Sequence, residues 1–110
     1  MTSVPAPRVL VVDDEPDIVA LVVYHLARAG YRVSSAATGP DAVAVAKRER
    51  PALVVLDLML PGRSGFEVLE AIRADAATQD VAVLLLTARK DEPDRIRGLS
   101  LVAEIGRAHV

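Results

Sequence analysis

The sequence has no cysteine, and this absence excludes disulfides and thiolate metal sites. It also lacks an apolar run near the roughly 20 residues that span a bilayer, so no membrane segment is predicted. The start Met-Thr-Ser-Val-Pro lacks the basic and apolar regions of a signal peptide, which makes a cytoplasmic location the expectation. A net charge of -2 gives no electrostatic reason for direct binding to DNA or RNA. Any DNA contact would therefore have to come from another domain.

What the chain does have is enough apolar material for one domain. Its 110 residues are 52% hydrophobic, which suits a single compact core and is too little for two. Strand and helix patterns alternate four times. The predicted strands are 8–12, 31–36, 53–57 and 81–87, and the predicted helices are about 16–29, 40–49, 64–73 and 91–99.

Local signals mark the ends of these helices. Gly30 supplies a stop for the first helix, and Thr38 is a plausible N-cap for the second. Ser64-Gly65-Phe66-Glu67 has the form of a capping box that opens the third. We expect Phe66, Leu69 and Ile72 to face inward in that helix, as we expect of Ile96 and Leu99 in the fourth.

The alternation predicts an α/β fold with a doubly wound parallel sheet, because each parallel connection needs a crossover. In such sheets the ligand site lies at the carboxyl ends of the strands, near the point where strand order reverses. Asp13 and Asp14, Asp57, and the Thr87 hydroxyl follow or end three separate strands. These four polar groups should converge on one edge of the sheet.

Three neighbouring carboxylates cannot all ionise without a counterion, so either their pKa values rise or a cation lies among them. A hard divalent ion is the better choice, and Mg²⁺ would take one or two acids, a backbone carbonyl near Met59 and a phosphate oxygen. Asp57 would then be free to act as a nucleophile towards a phosphoryl donor, with the Thr87 hydroxyl bonding a phosphoryl oxygen.

Plainer interpretations exist for the same residues. The acids from Asp13 to Asp17 could merely cap a helix, Asp57 could be an acid at the edge of a loop, and Thr87 could simply end a strand. Capping is as good an explanation of Glu15 as an indirect contact with the metal. An alternative candidate function is that of a small phosphohydrolase with Asp57 as its nucleophile. Such an enzyme usually has a general acid two residues later, where this chain has Met59.

Three motifs together resemble the receiver domains of two-component response regulators. They are Val-Val-Asp-Asp-Glu at 11–15, Leu-Asp-Leu-Met-Leu-Pro-Gly at 56–62 and Leu-Thr-Ala at 86–88. The resemblance implies a flavodoxin-like receiver fold, phosphorylation of Asp57 by a sensor histidine kinase, and Mg²⁺ held by Asp13 and Asp14. It also implies that Thr87 is the switch hydroxyl and that Ala88 keeps the phosphate pocket open. The sequence is most similar to regulators with a C-terminal winged-helix DNA-binding domain, which often form homodimers.

The departure from this family lies at the end of the sequence. Receiver domains continue through a fifth strand, with an aromatic residue and a lysine-proline pair, and a fifth helix; here we predict four of five βα units. We expect an incomplete receiver domain over 1–103 and a tail over 104–110 that lacks strand periodicity. One frame of a common sequencing adapter, GAG ATC GGA AGA GCA CAC GTC, encodes this tail, which suggests read-through; a divergent natural tail is the alternative.

Without a fifth strand, the neighbouring strand should be an exposed edge, and the chain should be less stable and prone to self-association.

Overall fold

Strands and helices alternate along the chain in a computed structural model of the protein. The structure describes residues 6–58, 60, 64–88 and 99–104, with the backbone alone described for 87, 88 and 99–104. The elements are β1 (Arg8–Val12), α1 (Pro16–Arg28), β2 (Arg32–Ala36), α2 (Gly39–Glu49), β3 (Leu53–Asp57), α3 (Gly65–Ala74), β4 (Ala82–Ala88) and β5 (Leu99–Glu104). None of the described helices has the length and hydropathy of a membrane span.

The sheet has the strand order β2-β1-β3-β4-β5, and its first four strands are parallel. The chain moves from β1 outward to β2, and then crosses back to β3 on the other side of β1. The order therefore reverses between β1 and β3, whose ends lie side by side because Val12 pairs with Leu56. This is the position at which open parallel sheets bind their ligands.

Helices cover both faces of the sheet, as a doubly wound fold requires. Alternate strand residues point to opposite faces, so Leu10 packs with α2 and α3 while Val11 packs with α1. The core on the α2 and α3 side is the larger of the two described clusters. Its buried members are Leu10, Val12, Ala36, Ala42, Ala46, Val54, Leu56, Leu60, Val68, Ile72, Val83 and Leu85.

The predicted helix signals are present in the structure. The Thr38 hydroxyl accepts a hydrogen bond from the Asp41 N–H at 3.3 Å. Ser64 and Glu67 form a reciprocal capping box, in which the Ser64 hydroxyl accepts from the Glu67 N–H and a Glu67 carboxylate oxygen accepts from the Ser64 N–H. Gly30 lies two residues beyond α1 with a φ of 99°, the left-handed region that glycine adopts without steric cost.

The predicted orientation of one residue of α3 was wrong. Phe66 was expected to face inward, but 57% of its surface is exposed. The inward stripe of α3 is instead set by Val68 and Ile72, which are fully or almost fully buried, with Leu69 packed against them. Phe66 lies in the first turn of α3, where the helix rotates this position away from the sheet.

Residues 99–104 form a fifth strand that the sequence did not predict. This strand runs antiparallel to β4, with Leu85 opposite Val102 and Thr87 opposite Ser100. Our expectation that β4 would be an exposed edge was therefore wrong, because β5 occupies its outer side. Leu99 was assigned to a helix and instead begins β5, whereas the rest of that predicted helix, 91–98, lies outside the described residues. The doubly wound parallel arrangement of the first four strands is confirmed.

Candidate functional site

Three carboxylates meet where the strand order reverses. Asp13 and Asp14 directly follow β1, and Asp57 is the last residue of β3. Each offers one carboxylate oxygen, and these oxygens all lie within 4.8 Å of one another. Asp13 and Asp57 are only 3% and 4% exposed, whereas Asp14 is open to solvent. The predicted convergence of these acids is therefore present.

Backbone hydrogen bonds fix the segments that carry these acids. The Asp13 N–H donates to the Ala36 carbonyl at 3.1 Å, which extends the β1–β2 pairing by one residue. The Leu58 N–H donates to the Leu86 carbonyl at 3.1 Å, and the Leu58 carbonyl accepts from the Gly65 N–H at 3.0 Å. The residues on either side of the site are thus tied to the sheet and to the start of α3.

The electrostatics of the cluster are unfavourable without a cation. The pKa of Asp13 is raised from 3.8 to about 6, and burial is the largest cause of this rise. The Glu15 N–H, which donates to Asp13 Oδ1 at 2.8 Å, opposes this pKa shift. The charges of Asp57 and Asp14, and a hydrogen bond between the carboxyl groups of Asp13 and Asp57, are smaller causes of the same rise in pKa. A bound cation would relieve the burial cost and the repulsion together.

The donor set fits a hard divalent cation. Carboxylate oxygens are preferred ligands of Mg²⁺, and an ion of this kind keeps several waters, so it needs only a few protein groups. Asp14 faces solvent and leaves room for those waters, while Asp13 and Asp57 close the protein side. The arrangement can hold a metal beside Asp57 and leave that carboxylate close to the open end of the sheet.

The structure describes the remaining predicted site residues only in part. The Thr87 backbone follows Leu86, the residue paired with Asp57, so Thr87 lies at the same end of the sheet. Ala88 is the last residue of β4, one position further on. The side chains of Thr87 and Ala88, and the whole of Met59, lie outside the described residues. Their assigned roles stay predictions.

Sequence reasoning missed two features of this site. The first is Gly65, which was treated only as part of a capping box but abuts the backbone of Asp57. The second is an apolar pocket of about 480 Å³ beside Asp13 and Asp14, between α1 and the end of β2. The sequence signal for the close approach of Gly65 was a glycine at the first position of a helix. No sequence pattern marks the apolar pocket.

The fold and the acids together define a class of protein. It is a doubly wound α/β domain with a carboxylate cluster at the switch point of its parallel sheet, where such folds place their ligand sites.

Comparisons with known proteins identify the family. Residues 9–105 match the family model described as the response regulator receiver domain, and the chain belongs to this family. It is 43% identical over 97 residues to the alkaline phosphatase synthesis transcriptional regulatory protein PhoP of Bacillus subtilis, covering 88% of this chain and 40% of that protein. The chain thus spans about two fifths of the length of such curated relatives.

Solved structures agree with this assignment. The N-terminal domain of a response regulator receiver protein from Methanoculleus marisnigri superposes with a TM-score of 0.72 at 41% identity, covering 83% of this chain and 74% of that one. The response regulator TrrA from Thermotoga maritima, solved in complex with Mg(2+)-BeF, gives a TM-score of 0.70 at 39% identity, covering 76% and 71%. The receiver fold predicted from the three motifs is confirmed.

Proposed function

We propose that this receiver domain is a phosphorylation-driven signalling module in which Asp57 accepts a phosphoryl group from a sensor histidine kinase. The observation that carries the proposal is the packing of Asp57 against Asp13 and Asp14, with carboxylate oxygens within 4.8 Å at the switch point of the sheet. A carboxylate placed there is costly without a cation, and clustered, buried carboxylates of this kind are typical of functional sites.

Each acid has a separate role in this proposal. Asp13 and Asp14 bind Mg²⁺ together with Asp57 and the backbone carbonyl of Met59. When bound, the ion neutralises the charge that develops on the phosphoryl oxygens during transfer. The relative TrrA, whose structure contains Mg(2+)-BeF, supports this choice of metal.

The transfer itself is a displacement at phosphorus. A carboxylate oxygen of Asp57 forms the new P–O bond while the P–N bond to the histidine of the kinase breaks, and the imidazole leaves. The hydroxyl of Thr87 donates to a phosphoryl oxygen of the product, and Ala88 leaves space for the group. The acyl phosphate then shifts a two-state equilibrium of the domain.

The longer relatives suggest what responds to that shift. Because PhoP is a transcriptional regulatory protein and this chain covers 40% of it, we propose an output domain that binds DNA, of the winged-helix type, elsewhere in the full protein. Homodimerisation of the full protein and a cytoplasmic location belong to the same proposal. The chain is not proposed to be an enzyme beyond assisting its own phosphorylation and dephosphorylation.

A direct test is incubation with a small acyl-phosphate donor and Mg²⁺, followed by intact-mass measurement. We expect one phosphate per chain, absent in Asp57→Asn and absent when the metal is chelated. Asp80→Asn is the matched control, because it makes the same change at an exposed acid after α3. Sustained turnover of phosphate esters, with no stable phosphorylated chain, would instead support the phosphohydrolase.

A further inference from the structure

Gly65 lies closer to the end of β3, the strand that carries Asp57, than any residue with a side chain could. A Cβ built on Gly65 would meet the Asp57 carbonyl oxygen at 2.5 Å and the Leu58 Cα at 2.6 Å. Contacts below 3.0 Å are essentially never made by real Cβ atoms. Both atoms belong to the backbone, so no flexible side chain can move aside to make room.

Two further contacts hold this close approach in place. The Gly65 N–H donates to the Leu58 carbonyl at 3.0 Å, which joins the first residue of α3 to the residue after Asp57. The capping box of Ser64 and Glu67 fixes the helix start itself. Leu58 and the start of α3 are therefore held together.

We propose that Gly65 is a positioning residue for the metal and phosphoryl site, acting through the backbone of Asp57 and Leu58. By lacking a side chain, it lets the start of α3 rest directly on the carboxyl end of β3. This contact sets where the Asp57 carboxylate lies relative to Asp13 and Asp14. The inference rests on the proposed function, since it names what holds that same site in register.

The decisive variant is Gly65→Ala. The added methyl must push α3 away from β3 or move the Asp57–Leu58 backbone, and a displacement near 1 Å at a reacting group is enough to reduce function strongly. We expect Mg²⁺ affinity at least about tenfold weaker by calorimetry, and phosphorylation by a small acyl-phosphate donor slowed at least as much.

A general loss of folding stability must be distinguished from a displacement of the Asp57 backbone. Ile72→Ala serves as the control, because Ile72 is 1% exposed in the same helix and lies near the end of α3 opposite Gly65. It should lower the melting temperature while leaving Mg²⁺ affinity unchanged at a temperature where all variants are folded. Wild-type affinity and rate in folded Gly65→Ala would overturn the inference, as would an equal loss of Mg²⁺ affinity in Ile72→Ala.

A second measurement covers the case in which Gly65→Ala does not fold. In the wild-type chain, the amide resonance of Gly65 should shift on Mg²⁺ addition, while that of Gly30, at the far end of α1, should not. An unmoved Gly65 amide in a chain that binds Mg²⁺ would overturn the inference. If the wild-type chain binds no Mg²⁺ and takes no phosphate, the proposed function fails and the role of Gly65 falls with it, whereas a wild-type chain that does both, beside an unaffected folded Gly65→Ala, overturns the inference alone.

Discussion

The backbone N–H of Glu15 donates a 2.8 Å hydrogen bond to Asp13 Oδ1, and this bond is the chief interaction that favours the ionised form of the buried Asp13 carboxyl. It does not outweigh burial, because the pKa of Asp13 still rises from 3.8 to about 6. The stability of the domain should therefore depend on pH in a way that a divalent cation changes.

The first prediction concerns that pH dependence. Between about pH 4 and pH 6 the folded metal-free state retains a proton on Asp13 that the unfolded chain has lost, so the free energy of unfolding from this group falls as pH rises. Above about pH 6 both states are ionised and the full cost is present. Mg²⁺ should therefore raise the melting temperature more at about pH 7.5 than at about pH 5. In Asp13→Asn, the free energy of unfolding should no longer show the fall with rising pH that this group causes. An unchanged dependence on pH would contradict the assignment to Asp13.

The second prediction separates metal binding from stability at Asp14. This side chain is exposed, so Asp14→Asn should change the free energy of unfolding by less than about 0.5 kcal/mol. Its Mg²⁺ affinity should nevertheless fall at least about tenfold, because a charged ligand is replaced by a neutral one. Asp17→Asn is the control, since Asp17 is an exposed acid in the first turn of α1 outside the cluster. Calorimetric titration measures both variants, and equal affinities would contradict the ligand role of Asp14.

The third prediction concerns the end of α3. The Thr78 hydroxyl is buried and donates a 2.7 Å hydrogen bond to the Ile72 carbonyl, one of the carbonyls that the end of the helix leaves without a helical partner. Thr78→Val keeps the shape and removes the donor, so we expect a loss of about 1–3 kcal/mol in chemical unfolding. Thr78→Ser keeps the hydroxyl and should lose less. Mg²⁺ affinity should be the same in both variants, because this end of α3 is remote from the acids.

The fourth prediction is a stabilising change at Arg50. This residue caps the C-terminal end of α2 with a φ of 49°, in the left-handed region that costs a residue with a side chain about 1–2 kcal/mol. Its N–H donates to the Ala46 carbonyl at 2.9 Å, so glycine would keep the cap and remove the strain. Arg50→Gly should therefore raise the free energy of unfolding by about 0.5–1 kcal/mol. Arg48→Gly, inside the same helix, should lower it by about 1 kcal/mol, and a rise in both would point to loss of positive charge instead.

Much of this fold was predictable because its local signals and its long-range pattern agree. Ser64 and Glu67 mark a helix start by their spacing alone, and the apolar strands before Asp13 and Asp57 require a buried parallel sheet. Topology then brings the acids together, because carboxyl ends of parallel strands share one edge. The convergence of the three acids therefore followed from the strand ends without knowledge of any contact.

The errors arose where tertiary packing decides between equivalent patterns. Phe66 and Val68 are both apolar, and only the seating of α3 on β3 shows that Val68 faces the core. Residues 99–104 are apolar enough for a strand, but their pairing with β4 depends on the free edge that β4 offers. The closeness of Gly65 to Asp57 is likewise a property of the packed helix. No local pattern records how near two backbones come.

The pairing of Val12 with Leu56 also governs when the acidic site comes into existence during folding. Asp13 and Asp14 leave the ribosome well before Asp57, and all of β2 and α2 lies between them in the chain. A nascent chain that lacks β3 has two carboxylates and no closed cluster, so it should hold Mg²⁺ no better than an unfolded peptide. Metal binding then favours only states in which β1 and β3 are already paired, and the ion should mainly slow unfolding and leave the early steps of folding unaffected.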